Sequence, residues 1–249
     1  MAVAAEAARR YVFQDREVTM PVIVRYASSA AATYLVDATA ARALRPGPEL
    51  DVVEVFPGRA LFSIACIDYV DNDLGDYNEV SLAFFVRRRG EQPLVPYLGN
   101  VVDFFRNKLA TYIKHLPVTQ SFTRDAGAGI WGFPKTVQSI DFADTDGRRT
   151  CTLTMDGRHV LTFSSFRGGR FTLPDAPMTT YSYIDGVLHE TVFTAGATQM
   201  GFGLGGAELT LGDHPIAGEL RSLGLPHAPL MTVWMGHQHG RFEAPVPVR

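Results

Sequence analysis

The chain has 249 residues, 46% of them apolar and 20% charged, with a formal net charge of −3. That length supports a large core without disulfide staples, and the slight acidic excess argues against nucleic acid as the main partner, since a phosphate-binding surface needs basic charge. No apolar run is long enough for a membrane span, the Met1 to Arg10 segment carries Glu6 and lacks a signal-peptide core, and Cys66 and Cys151 make no disulfide framework; one soluble, cytoplasmic domain over residues 1–249 with reduced, buried thiols is expected.

Strand signals dominate the first third. Val18 to Tyr26 is apolar and β-branched, with Pro21 marking an edge or a bulge. Arg16 stands at the start of this run and Arg25 lies inside it; either could clamp a carboxylate or be a plain surface arginine. Thr33 to Val36 is a short apolar run. Asp37 then caps a short helix through Leu44, stopped by Pro46-Gly47-Pro48. Asp51 to Phe56, Ala60 to Tyr69 and Glu79 to Arg88 read as strands, the last ending in the basic cluster Arg87-Arg88-Arg89 before a turn at Gly90. Tyr77 and Glu79 share a face if that strand is continuous. Glu79 is then either exposed at the strand end or turned into a cavity, where it could shuttle protons.

Phe104 to His115 places Phe104, Phe105, Leu109, Tyr112 and Ile113 at helical spacing and predicts a helix. Val118 to Arg124, including Gln120, continues that helix or enters irregularly a glycine-rich turn near Gly127-Ala128-Gly129. Further on, Asp146-Gly147, Asp156-Gly157 and Asp185-Gly186 each separate two strand-like runs. Asp-Gly suits a type I′ turn, so three hairpins of a meandering antiparallel sheet are predicted. Gly201-Phe202-Gly203-Leu204-Gly205-Gly206 matches a dinucleotide loop literally, but Glu208 to Gly212 alternates like a strand, so a glycine-rich turn is expected. His214 to Gly224 reads as a helix closed by Gly224, with His214 capping it, and Met231 to Met235 as a strand. His237-Gln238-His239 has no third metal ligand at recognisable spacing. The sum is an α+β fold, predominantly antiparallel sheet, with a few short helices.

One residue stands apart by composition. Lysines occur only at 108, 114 and 135, among 23 basic residues. Lys135 follows Gly129-Ile130-Trp131-Gly132-Phe133-Pro134, so a rare lysine sits beside aromatics and a proline that restricts the backbone. Arginine stays charged, whereas a desolvated lysine can serve as an amine nucleophile. Trp131, Phe133 and Gln120 are candidate walls of its pocket; plain core packing explains the two aromatics equally well.

This stretch resembles the signature of the acetoacetate decarboxylase superfamily, in which an aromatic-Pro-Lys element carries a Schiff-base lysine. Phe13-Gln14-Asp15-Arg16-Glu17 resembles the family's N-terminal segment with its active-site arginine. Leu74-Gly75-Asp76-Tyr77-Asn78-Glu79 resembles the segment whose glutamate faces the lysine, and Leu209 to Leu223 resembles the family's C-terminal helix. The resemblance implies a barrel-like fold and a cofactor-independent, metal-free Schiff-base lyase that decarboxylates a β-keto acid to a ketone through an iminium and an enamine, assembled as a homo-oligomer. It implies Lys135, Glu79 and Arg16 as catalytic groups; Arg25, Tyr77, Gln120, Trp131 and Phe133 are the candidates at the substrate by their own chemistry and position. Three departures stand out. Thr136 replaces a second lysine, Gly127-Ala128-Gly129 replaces Gly-Arg-Glu, and no second pocket glutamate occurs near Ser63 or Ile64. In acetoacetate decarboxylase itself, the type case of an activated lysine, desolvation or a neighbouring cation does the activating; Thr136 leaves desolvation alone. An aldolase-dehydratase or cyclase on a pyruvate-like or larger keto acid, and a non-catalytic small-molecule binder, are the alternatives.

Overall fold

The computed structural model describes residues 9–44 and 47–248. Strands β1 (Arg10–Phe13) and β2 (Arg16–Thr19) form a hairpin turned by Gln14 and Asp15, both at positive φ. The single strand expected from Val18 to Tyr26 is divided at Pro21, which has no N–H to give a ladder. Strand β3 (Val22–Asp37) begins after it and runs without a break through Thr33–Val36. The Asp37 carboxylate accepts from the Ala40 N–H and caps helix α1 (Ala38–Ala43). Pro46 of the expected stop lies outside the described residues, as do residues 1–8 of the N-terminal segment. Strands β4 (Leu50–Val52), β5 (Glu54–Phe56), β6 (Arg59–Asn72) and β7 (Tyr77–Arg88) follow.

The next segment corrects one expectation. The helix predicted over Phe104 to His115 is instead the end of helix α2 (Leu98–Phe105), a break at Asn107 with φ +54°, and strand β8 (Ala110–Val118). Its apolar spacing is ambiguous over so short a run. Two open edges decide it, because β8 pairs with β7 on one side and with a later strand on the other. The glycine-rich turn is also a correction: Ser121–Trp131 is helix α3, with Gly127 and Gly129 inside it. Each glycine costs a helix about 1 kcal/mol against alanine, and each has a side chain from elsewhere in the chain packed directly against it.

Strands β9 (Lys135–Val137), β10 (Ser139–Thr145), β11 (Arg148–Met155), β12 (Arg158–Phe166), β13 (Phe171–Ile184), β14 (Val187–Leu204) and β15 (Ala207–Leu211) come next. All three Asp-Gly pairs have both residues at positive φ and join adjacent antiparallel strands, as predicted. The glycines at 201–206 end β14 and turn into β15, a strand–turn–strand course. Helix α4 (Pro215–Ser222) is capped by His214, whose Nδ1 accepts from the Ile216 N–H. Strands β16 (Met231–Phe242) and β17 (Val246–Pro247) finish the chain.

Seven strands close into a barrel in the order β7-β6-β3-β16-β14-β13-β8, with β8 returning to β7. All contacts in the ring are antiparallel except β8 with β13. A second antiparallel sheet, β10-β11-β12-β15, and α4 cover one outer side. There Phe62, Ile64, Leu82 and Phe84 of the barrel meet Leu153, Leu161, Phe163 and Leu220 in one buried core. Cys66 and Cys151 face each other in this core as free thiols, pushed up in pKa by burial at Cys66. The other barrel face looks into the lumen. One end of the lumen is plugged by α3 and the β1–β2 hairpin, with Tyr69, Tyr77, Val118, Phe122 and Ile130 packed together. The other is capped by α2 and β5 around Leu61, Val55 and Leu109.

Candidate active site

The plugged end of the barrel holds Lys135. Helix α3 stops at Gly132, which has φ +67° and sits against the Tyr183 carbonyl, where any Cβ would collide. The Gly132 and Phe133 N–H groups donate to the Ala128 and Gly127 carbonyls, at 3.0 and 3.2 Å, folding the chain back onto the helix. Lys135 then opens the short strand β9 beside Leu116 of β8. Gly127 of α3 lies directly against the lysine: a Cβ there would stand 2.5 Å from Lys135 Cδ and 2.6 Å from Cε. Gly129 does the same for the Phe13 ring of the hairpin.

The Lys135 side chain is 4% exposed and that of Glu79 8%, with Nζ donating to Oε2 at 2.8 Å. Register explains the meeting. Glu79 of β7 stands opposite Val118 of β8, and Lys135 opposite Leu116, two residues along the same strand and therefore on the same face. The Tyr77 ring centroid is 4.9 Å from Nζ. Tyr77 stacks on its cross-strand neighbour Tyr69 at 4.6 Å. The Tyr69 hydroxyl faces both the Glu79 carboxylate and the Tyr77 hydroxyl within hydrogen-bonding reach. Burial, reinforced by the Glu79 charge, pushes both phenols well above their usual pKa, so each remains a neutral hydrogen-bond donor. The site thus holds one amine, one carboxylate and two phenols in an otherwise apolar setting.

The other expected residues fall in different places. Arg16, on the hairpin, lays its guanidinium 3.6 Å over the Phe122 ring of α3 and has no ion-pair partner among the described residues. Arg25 lies outside the amine–carboxylate pair: its exposed guanidinium is bound by Asp71 at 2.8 Å and Asp73 at 2.7 Å, so its charge is already matched. Gln120 is exposed at the start of α3 and its side chain makes no cap bond. Trp131 and Phe133 stack at 5.8 Å within the core, where the Trp131 indole N–H donates to the Glu243 carbonyl. Thr136 is exposed, alternating away from Lys135, so it puts no cation beside the amine. His237 stacks on Tyr26 and His239 pairs with Asp175; no group of three or more metal-ligating side chains occurs among the described residues.

The family model for acetoacetate decarboxylase matches residues 16–235. The chain belongs to the acetoacetate decarboxylase family. Its fold is shared with acetoacetate decarboxylase from Legionella pneumophila subsp. pneumophila str. Philadelphia 1, at 16% identity and TM-score 0.66, over 92% of this chain and 87% of that one. It is shared with the enduracididine biosynthesis enzyme MppR complexed with pyruvate, at 16% identity and TM-score 0.59, over 91% and 90%. An acetoacetate decarboxylase-like enzyme from Sphingomonas wittichii RW1 aligns at 14% identity and TM-score 0.59, over 92% of both chains. No curated protein is significantly similar in sequence. No helix among the described residues is long and apolar enough to cross a membrane.

Two site features of this family member are not legible in its sequence. Tyr69 joins Glu79 only through the β6–β7 register, and no motif marks it. Gly127 reads as loop glycine, yet its missing Cβ is the space the lysine occupies. Gly127→Ala is expected to cost about 1–3 kcal/mol, the overpacking against the buried lysine outweighing the gain in helix propensity, while turnover of a keto acid falls roughly 100-fold because the amine is displaced. Thermal unfolding beside a rate assay checks both halves.

Proposed function

We propose that the chain is a lysine Schiff-base lyase that decarboxylates a β-keto acid. The buried contact between Lys135 Nζ and Glu79 carries this reading. An amine that is 4% exposed and paired to a single carboxylate can hand its proton to that carboxylate and attack the substrate ketone. Loss of water from the carbinolamine gives an iminium. The bond to the carboxylate then breaks, carbon dioxide leaves, and the electron pair moves into the iminium to form an enamine. Protonation at carbon restores an iminium, which water hydrolyses to the ketone and the free amine. Glu79 is the group placed to hold the proton between these steps. Arg16, laid over Phe122 and without a carboxylate partner among the described residues, is the cation available for the substrate carboxylate.

Thr136 beside Lys135, and the absence of a second glutamate near Ser63 or Ile64, favour a second reading. In it the iminium loses an α proton to Glu79 and keeps its carboxylate; the resulting enamine attacks an aldehyde, and the adduct loses water. Borohydride reduction with acetoacetate, with its longer homologues and with pyruvate tests the shared step. The expected result is a reduced adduct mapped to Lys135 by peptide mass; an unmodified Lys135 rules out both readings. Product analysis separates them, carbon dioxide against water and a new carbon–carbon bond.

A further inference from the structure

Beyond the amine, three neighbouring strands of the barrel, β3, β6 and β7, turn small side chains toward the lumen. On β7 the outward side chains Leu82 and Phe84 pack under α4 and the second sheet, so Glu79, Ser81, Ala83 and Phe85 face inward. Cross-strand register sets Ala31, Ala65 and Ser81 side by side, and Thr33, Ser63 and Ala83 side by side in the next row. Glu79 opposite Val118 and Leu82 opposite His115 put Ser81 across from Leu116, whose other neighbour is Lys135. The lysine therefore leaves the sheet in the row of Ser81, Ala65 and Ala31.

On β3, β6 and β7 all six of these side chains are small; the rows continue on β16 and β14 through the larger Val233 and Phe202 and through Met231 and Leu204. At the adjacent outward positions stand Tyr34, Phe62, Ile64, Leu82 and Phe84, with the small Ala30 and Ala32 on β3, all at most 2% exposed. Inward, Ala31, Ser63, Ala65 and Ser81 remain partly accessible although they lie mid-strand in a closed barrel. A barrel of this strand number is filled when its inward residues are large, and small ones leave room for a ligand. The two rows are about 7 Å apart, and Phe85 follows about 7 Å further on. There Leu35, Leu61 and Phe85 meet Val53, Val55 and Phe104 and close the lumen. Apart from Lys135, no charged side chain stands in either row; the other polar groups on β3, β6 and β7 are the hydroxyls of Ser63, Ser81 and Thr33.

Resting on the Schiff-base reading, we infer that the substrate is a keto acid with an uncharged tail of about four to six carbons, lying along Ser81–Ala65–Ala31 and Ser63–Ala83–Thr33. Acetoacetate, which ends in a methyl group, leaves both rows uncovered. Each methylene that leaves water for the lumen strengthens binding about fourfold.

The test uses the full chain with acetoacetate and its homologues lengthened by two and by four carbons. Binding is read by titration calorimetry, and covalent capture by borohydride on the same samples. Kd is expected to fall at least tenfold from acetoacetate to the longest homologue. Ala65→Phe, or the milder Ser81→Val if the first does not fold, is expected to reverse that order of affinity. A Kd that is flat or rises with chain length overturns the lumen assignment whatever borohydride does. Tight, length-dependent binding without a Lys135 adduct upholds the lumen assignment and removes the Schiff-base chemistry instead.

Discussion

Lys135→Arg is expected to give no borohydride adduct and to lower kcat/KM for keto acid turnover at least roughly 1,000-fold. Arginine retains the positive charge opposite Glu79 but cannot form a Schiff base, because its guanidinium stays protonated and delocalised. The substitution therefore separates an electrostatic role from a nucleophilic one. The longer, planar head must also pass Gly127, which already touches the lysine stem. Lys135→Met, unbranched and uncharged, gives the same loss without that crowding. Activity of either variant within tenfold of the parent protein would exclude an amine nucleophile at this position.

Glu79→Leu is expected to destabilise the fold by about 3–5 kcal/mol, because it leaves the Lys135 ammonium buried without its partner. For a chain of this size that is a fall in Tm on the order of 10 °C. Lys135→Met combined with Glu79→Leu should recover most of the loss, since a buried ion pair replaced as a whole by apolar side chains of similar size is often neutral in stability. All three proteins should be inactive. Chemical denaturation of the two single variants and the double variant measures the coupling. If the single and double variants are equally unstable, the pair is not an isolated unit of charge in this core. The Tyr69 phenol, facing the same carboxylate, is then the next group to replace.

The site is partly legible in the sequence. Lys135 stands out through rarity and local chemistry, and Glu79 and Tyr77 through their two-residue spacing; the structure brings these three together. Arg25, a candidate by its chemistry alone, proves to be held by two aspartates. What counts for such a residue is whether its charge is already matched, and that depends on neighbours 46 and 48 positions away. Trp131 and Phe133 are ambiguous along the chain between wall and core; an indole N–H bonded to a distant carbonyl places Trp131 in the core.

Features that act over a few residues are readable along the chain. These are the three Asp-Gly turns, the Asp37 and His214 caps, the strand-like course after Gly206 and the lysine in its aromatic setting. Their physics is local sterics and short-range hydrogen bonding. Tertiary pairing decided the rest. The segment 110–118 is a strand because two open edges claim it, and α3 tolerates Gly127 and Gly129 because a lysine and a phenylalanine need the space. The amine faces a carboxylate because β7, β8 and β9 lie in that order and register. Pairing energies between distant strands outweigh propensities of a fraction of a kcal/mol per residue, so the lumen and its occupant follow from closure of the barrel.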